Sequence, residues 1–133
     1  MKDFSPKWKS SKDRKKQRKY IANAPLHIKS KFMSSHLSEA LRKKYGIRSV
    51  RIRKGDKVKI TLGQYKSKTG TIETIDMKNA EVTIDSIFTT KRDGSKSFYP
   101  IHPSNLEVQD LNLNDQIRKT KIESQSKTKE VKK

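Results

Sequence analysis

The sequence predicts a mainly β protein: a small antiparallel barrel that follows a basic arm and two short helices and precedes a polar tail. Three observations predict this arrangement. A chain of 133 residues suffices for one domain. Its 30% hydrophobic residues, against 35% charged ones, can build only a small core. In the middle of the chain, apolar residues recur at every second position, which is typical of half-buried strands.

The positive charge is concentrated at the N-terminal end. The formal net charge is +19, and residues 1–54 hold 18 basic and 3 acidic side chains, a net +15. Residues 55–108 are nearly balanced, with 8 basic and 7 acidic side chains. A segment that repels itself so strongly buries too little apolar surface to offset its chain entropy. We therefore expect much of it to become ordered only when a polyanion neutralises it.

Nucleic acid is the polyanion that the sequence favours. An anionic membrane would satisfy the charge, but residues 12–19 (KDRKKQRK) include no large apolar residue that could enter a lipid surface. A charge run can also serve solubility alone, and a net +15 argues against that interpretation. Residues 1–22 are expected to be an extended arm in which Trp8 and Tyr20 lie among cations. Trp8 either stacks on an unpaired base or packs on the protein's own domain.

Residues 23–49 are predicted to form two short helices. Asn23 can cap the first, with Pro25 near its first turn. Ser38 opens the second, and Gly46 supplies its C-terminal stop. The apolar side chains Leu37, Leu41 and Tyr45 are spaced four apart. This stripe is expected to dock the second helix on the domain, and the basic face opposite is expected to contact the partner.

Residues 50–108 alternate apolar and polar positions in five or six short strands, with glycines at the bends. This number of strands in so short a segment predicts an SH3-like barrel. Residues 109–133 are predicted to be a polar extension, with a helical turn or two over 114–122 and a disordered tail from Ser124. The apolar residues that alternate in the strand region are Val50, Ile52, Val58, Ile60, Leu62, Ile72, Ile75, Val82 and Ile84.

No arrangement of residues indicates catalysis. His27, His36 and His102 are scattered, and the carboxylates, Asp56 among them, are expected to be solvated or paired surface charges. Neither a GxxxxGK[ST] nor a GxGxxG phosphate loop is present. The chain contains no cysteine, no long apolar run and no signal peptide, so we expect a cytosolic protein. An enzyme is not expected, and neither is a cofactor or a metal.

Residues 52–76, IRKGDKVKITLGQYKSKTGTIETID, resemble a KOW motif. Its flanks, NAPLHI at 23–28, MSSHLSEALRKKYGIRS at 33–49 and IHPSN at 101–105, resemble the archaeal and eukaryotic branch of universal large-subunit ribosomal protein 24. In eukaryotes this family is called large-subunit protein 26. The similarity covers roughly residues 12–120. One departure is Ser67, because the family commonly has glycine there, which puts a turn with positive φ at 67 in doubt.

The resemblance implies a structural protein of the cytoplasmic large ribosomal subunit. Family members bind the 5′ domain of large-subunit rRNA early in assembly and lie near the exit of the peptide tunnel. The implied partners are this rRNA and neighbouring large-subunit proteins, with no membrane, no small-molecule substrate and no homo-oligomer. The alternative is a KOW-type transcription elongation or antitermination module that binds RNA.

The residues expected to contact RNA follow from charge, aromatic character and position. Arginines before the barrel can clamp phosphate with two hydrogen bonds, lysines of the loop at 63–70 offer point charges, and Asn23 and His27 can reach sugar or base edges. The predicted rRNA contacts are Lys7, Trp8, Lys9, Arg14, Lys15, Lys16, Arg18, Lys19, Tyr20, Asn23, His27, Lys29, Lys31, Arg42, Lys43, Arg48, Arg51, Arg53, Lys54, Lys66, Lys68 and His102.

Overall fold

The computed structural model describes residues 4–130, and for residues 125–130 it describes the backbone alone. The described chain is mixed α/β rather than mainly β. Its α-helices are α1 (Arg14–Asn23), α2 (Leu26–Phe32), α3 (Glu39–Tyr45) and α4 (Gln116–Glu130), and its 3-10 segments are Pro6–Ser10 and Pro103–Asn105. Its strands are β1 (Ser34–Leu37), β2 (Ser49–Arg51), β3 (Lys57–Ile60), β4 (Thr69–Asp76), β5 (Glu81–Ile84), β6 (Phe88–Thr90), β7 (Lys96–Phe98) and β8 (Leu106–Asp110).

Six strands form one sheet in the order β2-β1-β8-β3-β4-β5, and β6 and β7 form a separate hairpin. No ladder joins β2 to β5 within residues 4–130, so the sheet is open and the predicted closed barrel is not confirmed. The sheet is also not wholly antiparallel, because β1 runs parallel to β8, with His36 opposite Glu107. Strand β1 was not predicted. It has only four residues between two helices, and one of its two pairing partners, β8, lies some seventy residues away in the chain.

The predicted alternation is confirmed in the core. Val58 and Ile60 of β3, Val82 and Ile84 of β5 and Ile72 of β4 are at most 1% exposed. The polar residues between the paired positions, Lys59 and Thr83, are partly exposed, as the alternation of a half-buried strand predicts. The predicted alternation included Leu62, but β3 ends at Ile60 and Leu62 is 60% exposed.

The N-terminal arm is not extended. It contains the 3-10 segment and α1, whose first turn is capped by Asp13, since its carboxylate accepts the Lys15 N–H at 2.9 Å. Tyr20 is buried, with its ring centroid 5.4 Å from that of Phe4 and 5.9 Å from that of Phe32. This aromatic cluster gives the segment an apolar contact that its charge pattern does not reveal.

The second predicted helix is confirmed as α3. Ser38 is at its N-cap position, and Gly46 ends it in the left-handed region at φ +61°, with its N–H donating to the Arg42 carbonyl at 2.8 Å. The first begins after Pro25, whereas Asn23 is the last residue of α1, so the predicted cap at Asn23 is wrong. Leu41 and Tyr45 pack against the core as predicted, and Leu37 does so from β1 rather than from the helix.

The C-terminal segment holds a longer helix than predicted. Helix α4 spans 15 residues, through part of the segment that was expected to be disordered, and residues 131–133 of the predicted tail lie outside the described chain. Arg118 and Ile122 of α4 are buried, and Ile122 belongs to the main core. The extension therefore contributes to the domain's packing.

Candidate nucleic-acid interface

The predicted contact residues lie mostly at the surface. All the predicted lysines and arginines are exposed except Lys29, which is half-buried and donates from Nζ to the Lys78 carbonyl at 3.1 Å. Among the described residues, the ion pairs that involve these cations are Lys43 with Glu39 at 3.1 Å, and Arg53 with Asp115. The positive charge is thus largely uncompensated by the described protein and accessible to an external anion.

The two predicted aromatic contacts differ in their surroundings. Trp8 is half-buried in the first 3-10 segment, where its backbone N–H donates to the Ser5 carbonyl at 3.1 Å. Tyr20 retains 8% of its exposure because Phe4 and Phe32 cover its ring. In the structure, the ring of Tyr20 is therefore covered by the packing of the arm itself.

A groove of about 810 Å³ runs along strand β2, between the end of α2 and helix α4. It brings together three predicted contacts, Lys31, Arg51 and Arg53, and its described lining contains no carboxylate. Lys121 of α4 joins them, although it was not among the predicted contacts. The groove floor is aliphatic, with Met33, Val50, Ile52, Ile75 and Ile122 among its residues.

A buried ion pair fixes the cationic segment beside this groove. Asp56 is fully buried, and the Arg118 guanidinium donates to both its oxygens at 2.6 and 2.7 Å. The same carboxylate accepts the Arg53 N–H at 2.8 Å, and Arg118 also donates to the Arg51 carbonyl at 3.1 Å. Asp56 is therefore not a surface charge. It holds the backbone of the arginine-bearing segment against α4.

The loop between β3 and β4 presents Lys66 and Lys68 on a fixed backbone. The Ser67 N–H donates to the Ile60 carbonyl at 2.8 Å, and the Lys68 N–H donates to the Tyr65 carbonyl at 3.1 Å. Ser67 lies in the left-handed region at φ +71°. The turn with positive φ, in doubt from the sequence, is thus present although a serine occupies it.

The same loop contains Tyr65, which contacts Tyr99, and sequence reasoning missed both tyrosines. Tyr65 and Tyr99 meet edge to face, with ring centroids 5.2 Å apart, and Lys68 Nζ lies 5.2 Å from the Tyr65 centroid. The predicted contact His102 lines the same small pocket as these rings. The two tyrosines are far apart in sequence, so only the fold could place them together.

Two of the remaining predicted contacts lie on the first two helices. Asn23 is half-buried at the end of α1, and His27 is exposed on α2. Across residues 4–130, no group of three or more His, Asp or Glu side chains is placed to hold a metal ion. No described helix is both long and apolar enough to cross a membrane.

Three acidic side chains have a lowered pKa, each for a local reason. The Arg53 guanidinium, with the Ile117 N–H, lowers the pKa of Asp115 from its ordinary value of 3.8. The Lys78 N–H lowers the pKa of Asp76, and the Ser95 hydroxyl lowers that of Asp93. These carboxylates accept hydrogen bonds in turns and at the start of α4.

Fold and surface together define a small, strongly basic protein whose exposed cations surround an open β-sheet. The family model that describes the ribosomal proteins L26 of eukaryotes and their archaeal counterparts matches residues 11–125. The chain therefore belongs to this ribosomal protein family, and the match gives no support to the transcription-factor alternative.

The curated relatives are similar over most of their length. The large ribosomal subunit protein uL24 of Korarchaeum cryptofilum is 44% identical over 81% of this chain and 82% of its own. The uL24 of Methanosarcina barkeri is 42% identical over 84% of this chain and 97% of its own. The uL24 of Methanosphaera stadtmanae is 44% identical over 81% and 92%.

Proposed function

We propose that this chain binds the 5′ domain of large-subunit rRNA early in assembly and lies near the exit of the peptide tunnel. Its family membership supports the coarser statement: the chain is a structural constituent of the large ribosomal subunit, in the cytoplasm. The finer statement follows the resemblance of the flanking motifs. We propose a non-catalytic role, in which the protein holds RNA segments together.

The observation that carries the proposal is the accessible charge of residues 1–54. This segment has a net charge of +15, and its described lysines and arginines are exposed apart from Lys29. Cations that lack carboxylate partners in the protein gain most from phosphate, because counterions of the RNA are released when they bind. A balanced sheet with a cationic extension is the composition that backbone contacts to RNA require.

In this mechanism the sheet and the N-terminal helices have different roles in binding. The sheet, with its nearly balanced charge, docks as a preformed unit through the groove arginines and the loop lysines. Helices α1 and α2 bring their cations along the phosphate backbone and tie neighbouring RNA segments together. Arg51 and Arg53 can each form two hydrogen bonds to one phosphate, and the buried Asp56–Arg118 pair holds their backbone in place.

Competition filter binding tests the proposal. The labelled probe is 5′-domain rRNA, and the three competitors are the same rRNA without label, unrelated duplex DNA and vesicles with acidic headgroups. We expect the rRNA to compete for the full chain at far lower concentration than either competitor. Equal competition by all three would indicate a general cation and overturn the rRNA assignment. Co-sedimentation of the chain with large subunits in a lysate gradient checks the coarser assignment separately.

A further inference from the structure

We propose that the pocket between the β3–β4 loop and the segment after β7 binds one unpaired RNA base. The inference deepens the proposed function and rests on it, because it names the nucleic-acid feature that this part of the surface would select. It concerns the small pocket that Tyr65, Tyr99 and His102 line, which is separate from the groove along β2.

The size of the pocket fits a single planar ring system. Its volume is about 140 Å³. Pockets that enclose whole drug-sized ligands hold roughly 300–1,000 Å³, so this pocket is too small for a complete nucleotide. A base could enter it while the ribose and the phosphate stay outside. A paired base could not, because its neighbours in the helix would block the approach.

The walls offer stacking surface. Tyr99 is 47% exposed to solvent and Leu62 is 60% exposed, so apolar surface at the mouth of the pocket contacts water when no partner is bound. Tyr65 supports Tyr99 edge to face, which fixes the orientation of both rings. A rigid, solvent-exposed aromatic ring gains by stacking on an unpaired base, and every base can provide this contact.

The polar lining matches the edges of a base. Gln64 and Asn105 line the pocket, and their amide groups carry both donors and acceptors. His102 Nδ1 accepts the Ser104 N–H at 3.2 Å, so the neutral ring carries its proton on Nε2 and can donate from there. These groups provide the mixed donor and acceptor set that a heterocyclic base edge requires.

The charges at the mouth favour RNA over a peptide. Lys66 and Lys68 are exposed in the adjoining loop, with Lys68 Nζ 5.2 Å from the centroid of Tyr65, and no carboxylate of the described chain lines the pocket. A phosphate beside the inserted base would meet these lysines. The loop backbone is held by its own hydrogen bonds, so little ordering is needed on binding. Aromatic pockets also receive proline-rich peptides, and such a peptide would gain nothing from the lysines.

The test compares two probes on the full chain by fluorescence anisotropy: single-stranded RNAs of about ten nucleotides and a fully paired RNA duplex. The basic arm should bind both, so the ratio of the two affinities reports on the pocket. We expect Tyr99→Leu to lower single-strand affinity by about 5- to 150-fold and to leave duplex affinity unchanged. Tyr99→Phe should retain the single-strand affinity.

The matched control is Phe88→Leu, which removes another exposed aromatic ring, 38% accessible, from the β6–β7 hairpin. It should leave both affinities unchanged. Photo-crosslinking of thiouridine-containing single-stranded RNA, mapped by mass spectrometry, should identify residues 62–66 or 99–102. Circular dichroism of each variant identifies loss of fold. If Tyr99→Leu unfolds, the single-strand affinity of Tyr99→Phe and the crosslink map decide whether the pocket binds an unpaired base.

Three results would overturn the inference. The first is a Tyr99→Leu protein that loses single-strand and duplex affinity equally, or loses neither. The second is a crosslink map that lacks both pocket segments. The third is saturable binding of a proline-rich peptide that Tyr99→Leu abolishes while single-strand affinity is unchanged. In each case the proposed function would still stand if 5′-domain rRNA outcompeted duplex DNA, so the two failures are distinguishable.

Discussion

Single residues of this protein carry backbone and electrostatic roles that composition does not reveal. Glycines were expected at the bends of the strand region, and at Gly70 a Cβ would lie 2.5 Å from Ile84 Cγ2 and 2.7 Å from Asp85 Oδ1. Asp56 was expected at the surface, but it is buried against Arg118. The glycine was predictable from its place in a strand pattern. The ion pair was not, because its two residues are 62 positions apart in sequence.

Ser67 should be replaceable by glycine with a gain in stability. A left-handed φ of +71° costs a non-glycine residue about 1 kcal/mol in the folded state. Glycine removes this strain, but it also makes the unfolded chain more flexible, and this offsets part of the gain in stability. We expect Ser67→Gly to raise the free energy of unfolding by about 0.5 kcal/mol in urea titrations. The matched control is Gly63→Ala in the same loop, at φ +100° with open space around it, which should lower that free energy by about 1 kcal/mol. A destabilised Ser67→Gly would contradict this account of the loop.

The buried pair should be strongly coupled. Asp56→Asn leaves the Arg118 guanidinium buried without a counter-charge, and Arg118→Met leaves the carboxylate with its backbone donors alone. Breaking a buried pair in this way costs about 3–5 kcal/mol. We expect the double variant to cost clearly less than the sum of the single variants, measured by urea denaturation. Additive costs, or single costs below about 1 kcal/mol, would show that the pair does not hold α4 on the sheet.

At the scale of elements, capping residues and apolar alternation predicted those helices and strands that depend mainly on nearby residues. The caps and the alternation were sufficient for α3 and for strands β3 to β5, because β3 pairs with β4 and β4 with β5 along consecutive segments, although β3 also pairs with the distant β8. Strand β1 was not predicted and helix α4 was predicted too short, because both depend on contacts with residues distant in sequence. Strand β1 pairs with β8, and α4 buries Arg118 and Ile122 on the sheet. The exposed cations were predictable from the sequence by their charge, whereas the pocket beside Tyr65 and Tyr99 required the fold.

The start of α4 should respond to acid. Its Asp115 carboxylate is hydrogen-bonded by Arg53 and by the Ile117 N–H, and its pKa lies below the ordinary 3.8. A depressed pKa in the folded state contributes stability above the unfolded value, and this contribution is lost as the pH falls through the folded value. We expect Asp115→Asn to lower the Tm at pH 7 and to have a progressively smaller effect below about pH 3.8. An equal effect at pH 7 and pH 2 would contradict the ion-pair role.

Helix α1 should gain order when RNA binds. Its cations repel one another along the helix, with Arg14 four residues from Arg18 and Lys15 four from Lys19, and phosphate would remove this repulsion. We expect the α1 amides to exchange rapidly in the free chain and to become protected with 5′-domain rRNA, measured by hydrogen exchange. The amides of β3 serve as the internal control and should be protected in both states. Strong protection of α1 without RNA would contradict coupled ordering.

At the scale of the whole molecule, the protein combines a small packed core with a strongly cationic N-terminal segment. Most of the buried core lies in the nearly balanced segment 55–108, while residues 1–54 carry most of the net charge and also contribute Met33, Leu37, Ile47 and Ile52 to the core. The division was predictable because charge and apolar content are compositional. The helical state of the arm was not, since it depends on Tyr20 packing between Phe4 and Phe32. Binding that relies on accessible charge should depend steeply on salt.

The salt dependence of 5′-domain rRNA binding tests this division most directly. With about ten phosphates engaged, the logarithm of affinity should fall with the logarithm of salt at a slope of about −7 to −9. Changing Lys15, Lys16, Arg18 and Lys19 to Gln keeps Tyr20 and the helix-forming character of α1, and should make the slope less steep by about 3. The control changes Lys78, Lys91, Arg92 and Lys96 to Gln, removes the same charge from the sheet and hairpin, and should leave the slope nearly unchanged. Equal slopes for the two variants would contradict the claim that the N-terminal cations bind the RNA backbone.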